Sequence, residues 1–214
     1  MRKGYEKFRE WMLEYTELDI DHYVTIQSLC GAYKLKVGCY DGVAMVSGIV
    51  QDYIARCIVG GRCMTNSNTM YRVKRKLSDF DARSLYSSAM PRMKGYLKGE
   101  PHIVKELTHD FLEKQSGYFV KIRVTKVGKQ RQFPLLSKHA ENGVRIFTNE
   151  MVGEIVYIDK TSLEDAITFQ EIEFEVIDGY FFNAGWNDTI NHVIEHLYEK
   201  RRALNREKTQ GRLL

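Results

Sequence analysis

The run Asp81-Ala82-Arg83-Ser84-Leu85-Tyr86-Ser87-Ser88-Ala89-Met90 sets a carboxylate at the end of a loosely alternating stretch, Tyr71 to Phe80, and follows it with Ser-Leu-Tyr. A carboxylate on a rigid element can bridge two divalent cations, which two-metal phosphoryl transfer requires. A tyrosine one short turn later can lay its ring under a sugar. The same residue types also serve a plain strand-to-helix turn in which Asp81 only caps the helix, and residue types alone leave both readings open. Asp79 is the rival ligand. It lies two residues back, on the same face of an extended chain, roughly 6–7 Å away.

Three other places carry groups that could meet phosphate. Gly60-Gly61, followed by Arg62, would let backbone N–H groups approach an anion closely. Lys74-Arg75-Lys76 lies on the stretch leading to Asp81 and could steer a phosphate backbone, although such a run also suits a solvated edge. Near the end, Lys200-Arg201-Arg202 closes a helical pattern. On an ideal helix Arg201 falls about 20° from Ile190, on the apolar side, where an arginine calls for an anionic partner; Arg202 is the second choice. A solvated basic helix end favoured by the helix dipole is the competing reading. His192-Val193-Ile194-Glu195-His196 spells the inverted zincin pattern H-x-x-E-H. Both histidines fall opposite Ile190, Ile194 and Leu197, and only residues 197–214 follow, so there is little room for a distant third ligand.

Periodicity supplies the elements that must position these groups. Tyr5, Phe8, Trp11, Met12 and Tyr15 recur at helical steps, as do Tyr23, Ile26, Leu29 and Cys30. Gly31 and Gly38 bracket a strand-like piece, Tyr33 to Val37. Val43 to Ile58 reads as a helix closed by Gly60-Gly61, and Tyr71 to Phe80 as a strand. Beyond Gly99-Glu100-Pro101, the segments Gly117–Val127, Arg145–Thr148, Glu154–Asp159 and Glu171–Val176 predict a small β-rich unit. A last helix starts near Asn187-Asp188, which can cap it. Leu213-Leu214 carries no helix stop signal, which suggests a cut rather than a natural end.

The Asp81 run is similar to motif A of the family-B DNA polymerases, D-x-x-S-L-Y-P-S, and looks closest to the protein-primed branch of viruses and organellar plasmids. Ser87 stands where the family has proline. The resemblance implies that Asp81 binds both Mg²⁺ ions and that the Ala82 carbonyl completes one shell. It makes Tyr86, with Ser84 and Leu85, the platform for the incoming dNTP and the group that excludes a 2′-hydroxyl. The tyrosine lies five residues after the ligand in that family, which selects Asp81 over Asp79. Tyr15-Thr16-Glu17-Leu18-Asp19 resembles the third proofreading-exonuclease motif, Y-x-x-x-D, implying a metal at Asp19 and a water oriented by Tyr15. Ile58-Val59-Gly60-Gly61-Arg62 resembles the template-contacting Y-x-G-G link, with Ile58 in place of its tyrosine. Arg201, or Arg202, is implied to hold the triphosphate on the fingers helix.

The expected architecture is therefore α+β, a palm-type portion with flanking helices and a β-rich insertion. Residues 1–30 are expected to end the exonuclease, 31–70 to form the linking helix and Gly-Gly link, and 71–98 to carry motif A in the palm. Residues 99–186 are expected to be the insertion, and 187–214 to begin the fingers. The implied partners are a DNA primer-template, a dNTP and a terminal priming protein. Neither motif B nor motif C occurs in the 214 residues, so the chain by itself is expected to be inactive. The alternatives are a non-catalytic DNA- or protein-binding module, and a zinc peptidase.

Composition agrees with a globular intracellular chain. Hydrophobic residues make up 43% and charged residues 28%, which argues against global disorder. No apolar run approaches the ~20 residues of a membrane span, and the charged start shows no secretory signal. The four cysteines form no C-x-x-C pair, which suits free thiols in a reducing compartment, host cytoplasm or organelle. A net charge of +4 permits a nucleic-acid partner without demanding one.

Overall fold

The structure, a computed structural model, describes residues 2–82, 84–140 and 143–210. Leu213 and Leu214, where no stop signal was read, lie outside them. In chain order the elements are α1 (Arg2–Thr16), α2 (Ile26–Lys36), α3 (Gly48–Cys57), α4 (Leu85–Ala89), β1 (Tyr96–Leu97), β2 (His102–Ile103), α5 (His109–Glu113), β3 (Gly117–Val127), β4 (Ser137–His139), β5 (Arg145–Phe147), β6 (Ile155–Asp159), α6 (Lys160–Gln170), β7 (Ile172–Phe182), β8 (Trp186–Asn187) and α7 (Thr189–Gln210), with short 3₁₀ turns between some of them. The mixture is α+β, as expected. The chain divides into two compact units, Met1–Val43, Ala82–Tyr96 and Trp186–Leu214 in the first and Ala44–Asp81 and Leu97–Gly185 in the second.

The second unit is built on an antiparallel sheet in the order β2-β7-β3-β6. Strict alternation along β3 explains why it sits at the centre: Tyr118, Val120, Ile122 and Val124 are at most 1% exposed. They pack with Leu112 of α5, and with Leu163 and Ala166 of α6, into one core. On the other face α3 sets Tyr53 edge-on to Tyr157 and Tyr180. The Tyr53 hydroxyl donates to the Asp178 carboxylate at 2.6 Å. Burial there pushes the Cys57 thiol up to about 12.

Helix α6 starts at Asp159, which accepts from the Ser162 N–H at 3.1 Å as an N-cap. It ends in Gln170, fully buried. Gln170 Oε1 accepts from the Leu135 N–H at 3.0 Å, and its Nε2 donates to Asn149 Oδ1 at 3.1 Å. Asn149 in turn bonds both the N–H and the carbonyl of Arg131, so one glutamine ties loop 128–136 to the end of α6 and to Asn149. Replacing it by leucine keeps the volume but strands a backbone donor. Gln170→Leu is expected to cost about 2 kcal/mol, read as a lower urea midpoint for the chain. An unchanged midpoint would show that the loop is held by other contacts.

In the first unit, a reciprocal Thr25–Ser28 capping box starts α2. The helix runs straight through Gly31 to Lys36, so the strand read at Tyr33–Val37 is a helical turn. A mid-helix glycine is costly but not forbidden. Two further expectations are corrected. The helix read from Val43 begins only at Gly48, whose φ of +57° cannot continue a right-handed helix backwards. The strand read over Tyr71–Phe80 is irregular chain with no ladder partner among the described residues; Leu77 is 73% exposed and Phe80 90%. Alternation records side-chain preference, whereas a strand also needs a neighbour to take its backbone hydrogen bonds.

Candidate functional site

The chain passes from one unit to the other between Asp81 and Ala82. Asp81 ends the irregular 71–81 stretch, is exposed, and has no ion-pair partner among the described residues, as is also true of Asp79. Ala82 is exposed, and Arg83 lies outside the described residues. Ser84 then takes a left-handed backbone (φ 54°, ψ 39°) and opens α4. Its carbonyl accepts from the Ser88 N–H at 2.9 Å, while Ser88 Oγ donates to the Leu85 carbonyl. This tight entry leaves Leu85 57% and Tyr86 77% exposed. A tyrosine ring turned to solvent on a one-turn helix is free to take a planar or sugar-shaped partner.

Asp19 and Tyr15 are already engaged. Arg9 donates to Asp19 through Nε at 2.8 Å and through Nη2 to the second oxygen, and the Asp21 N–H adds a third bond. The Arg9 hydrogen bond, supported by that backbone N–H, holds Asp19 below the usual carboxylate range. A cation reaching Asp19 must displace the guanidinium. Tyr15 is exposed, and the Lys200 ammonium lies 4.4 Å from its ring centre. Neither Arg9 nor Lys200 was singled out with these two in the sequence. A partner ten residues back, or near the far end of the chain, leaves no local signal.

Gly60 and Gly61 lie on extended, exposed chain. A Cβ built on either meets nothing within 4 Å, so no contact within the chain requires them to be glycine. Arg62 is exposed but engaged within the chain: its Nη1 donates to the carbonyls of Phe133 and Pro134 at 3.0 and 2.8 Å. Lys74, Arg75 and Lys76 are exposed and form no ion pair among the described residues.

On α7 the packed face is Ile190, Asn191, Val193 and Ile194. By Leu197 the face is half exposed. Arg201 therefore stands in solvent rather than on an inward face, which corrects the helical-wheel expectation. Arg202 lies over the Tyr198 ring at 5.9 Å. His192 and His196 are both exposed, with His192 3.6 Å from Asp188. No group of three or more His, Cys, Asp or Glu that could hold a metal is present among the described residues. Asp81 with a neighbouring carbonyl does not by itself fit a two-Mg²⁺ centre, which needs further anionic oxygens.

Among the described residues no helix is long and apolar enough to cross a membrane. The family model described as DNA polymerase type B, organellar and viral, matches residues 1–212. No curated protein gives a significant match, and no solved structure does either.

Proposed function

The chain belongs to the organellar and viral type B DNA polymerases, and we propose that it supplies such an enzyme with one catalytic-metal aspartate, Asp81, and the nucleotide platform Tyr86. The match over residues 1–212, within which the Asp81–Tyr86 run lies, supports this reading. The solvent-facing Tyr86 ring supports it. When bound, two Mg²⁺ ions supply charge neutralisation at the transferring phosphate. This chain's donors to them are Asp81 and the Ala82 carbonyl, and a second carboxylate must join them. Ser84 sets the turn that presents Leu85 and Tyr86 to the dNTP. Arg201 and Arg202, exposed on α7, are the candidates for its triphosphate.

The remaining assignments follow the same reading. Residues 1–30 close a proofreading domain, with Tyr15 and Asp19 as its third motif once Arg9 releases Asp19. Gly60 and Gly61 admit the template backbone, and their open surroundings support that role. Residues 71–98 belong to the palm. The sheet of the second unit is the core of the 99–186 insertion, which meets the duplex and the terminal protein of a protein-primed enzyme in the host cytoplasm or an organelle. Residues 187–214 begin the fingers.

One experiment tests the chain itself. Offered a primer-template, dNTPs and Mg²⁺, the purified 214-residue chain is expected to bind DNA without sequence preference and to extend nothing. With about three phosphates met by Lys74, Arg75 and Lys76, affinity should fall roughly 40-fold between 50 and 200 mM salt. Template-dependent extension by the pure chain would overturn the view that Asp81 lacks a partner carboxylate. Salt-independent binding would overturn the phosphate assignment.

A further inference from the structure

The first unit contains a cavity of about 630 Å³, walled by α1, α2, the segment before β1, and α7. That is within the usual size of small-molecule sites, about 300–1,000 Å³. Met12, Leu29, Met93 and Ile194 make its walls apolar. Its charged and titratable nitrogens are all basic, on Lys34, His196 and Lys200, and no Asp or Glu lines it. Neither lysine is paired with a carboxylate among the described residues. The Lys34 ammonium lies 5.6 Å from the Tyr40 ring centre, and Lys200 lies over Tyr15. An apolar cavity edged by two lysines that meet tyrosines, and no carboxylate among the described residues, selects a ligand with an apolar body and one negative head.

We propose that this cavity binds an acyl-chain carboxylate, its hydrocarbon among the methionines and its head between Lys34 and Lys200. Burial of the hydrocarbon supplies the affinity, and the lysines supply the choice of charge. No group assigned to polymerisation lines the cavity; Tyr15, assigned to proofreading, does.

Cys30 lines the cavity and is exposed, whereas Cys63 is exposed in the second unit. Alkylation of the two thiols by iodoacetamide, mapped by peptide mass, therefore reports on occupancy with an internal control. Laurate below its micelle concentration, at ten times its Kd, is expected to slow modification of Cys30 about tenfold and to leave Cys63 unchanged. Dodecyltrimethylammonium, which has the same apolar body and the opposite charge, should not protect. Combined Lys34→Glu, at a half-buried position of α2, and Lys200→Glu, at an exposed position of α7, should abolish the preference for laurate. Phosphatidylglycerol vesicles separate a free acid from a membrane-borne acyl chain, and protection by vesicles alone overturns the free-acid assignment. So does equal protection by the cationic amphiphile, slowing at both thiols together, or no protection at Cys30. The comparison of the two amphiphiles on the unmodified chain decides the matter even if the double variant fails to fold.

Discussion

In a polymerase that carries this sequence, Asp81→Asn is expected to lower nucleotide incorporation by ~10³-fold or more, while Asp79→Asn should keep most of it. The two substitutions are chemically identical and two residues apart. Both carboxylates are exposed and unpaired among the described residues, so folding gives no reason for different effects. Only the register to Ser84, Leu85 and Tyr86 separates them. An amide removes the charge that holds a divalent cation while keeping the shape, so the loss should appear in kcat with the fold intact. Single-turnover incorporation with matched circular dichroism checks it. A dead Asp79→Asn beside an active Asp81→Asn would move the register by two residues, and the assignments of Ala82 and Tyr86 would go with it.

The parts of the fold that were legible are those in which one chain segment decides its own fate. Strand β3 spans Gly117–Val127 as its alternation requires, because a central strand with one fully buried face leaves its pattern in the sequence. The start of α7 is likewise visible in Asn187-Asp188. Strand β7 is longer than its sequence suggests: Asp178-Gly179 has the composition of a turn, yet lies inside the strand. Asp178 is held there by Tyr53 and by Lys121 at 3.4 Å. At Gly179 a Cβ would come within 2.6 Å of the Phe119 carbonyl oxygen, so close strand approach explains the residue. Helix α6 went unread although its Asp159 cap and the Leu163–Ala166–Gln170 stripe are present in the sequence.

The candidate site divides in the same way. Residue type and spacing single out Asp81 and Tyr86 as candidates, and both are exposed. Type and spacing do not reveal the surroundings of Arg62, Asp19 or Arg201. Arg62 is held by carbonyls 71 and 72 residues away, and Asp19 by a helix residue ten positions earlier. Arg201 is exposed although an ideal helix puts it near the packed Ile190. Each of these turns on a long-range contact or its absence, which no local pattern encodes.

A glycine-to-alanine pair within the first unit shows how strongly the segment after Tyr86 is held. Gly95 has a φ of +103°, and a Cβ there would lie 2.1 Å from the Asn187 carbonyl oxygen and 2.8 Å from the Asp188 Cα. Both obstacles are backbone, so no rotamer change relieves them. Asn187 is itself a fixed point: its Nδ2 donates to the carbonyls of Gly38 and Asp41 at 2.9 and 3.0 Å, and its Oδ1 accepts from the Thr189 N–H at the start of α7. Moving Asn187 aside breaks those bonds and the entry to the helix together. Gly95→Ala is expected to cost about 3–5 kcal/mol, from left-handed strain, overpacking and lost hydrogen bonds. Gly31, inside α2, has open space where a Cβ would stand, so Gly31→Ala should stabilise by about 0.5–1 kcal/mol. Urea unfolding of the two single variants should therefore shift in opposite directions. If Gly95→Ala unfolds at the unmodified midpoint, the segment after Tyr86 does not rest on Asn187. Tyr86 would then lose the rigid support that a nucleotide platform needs.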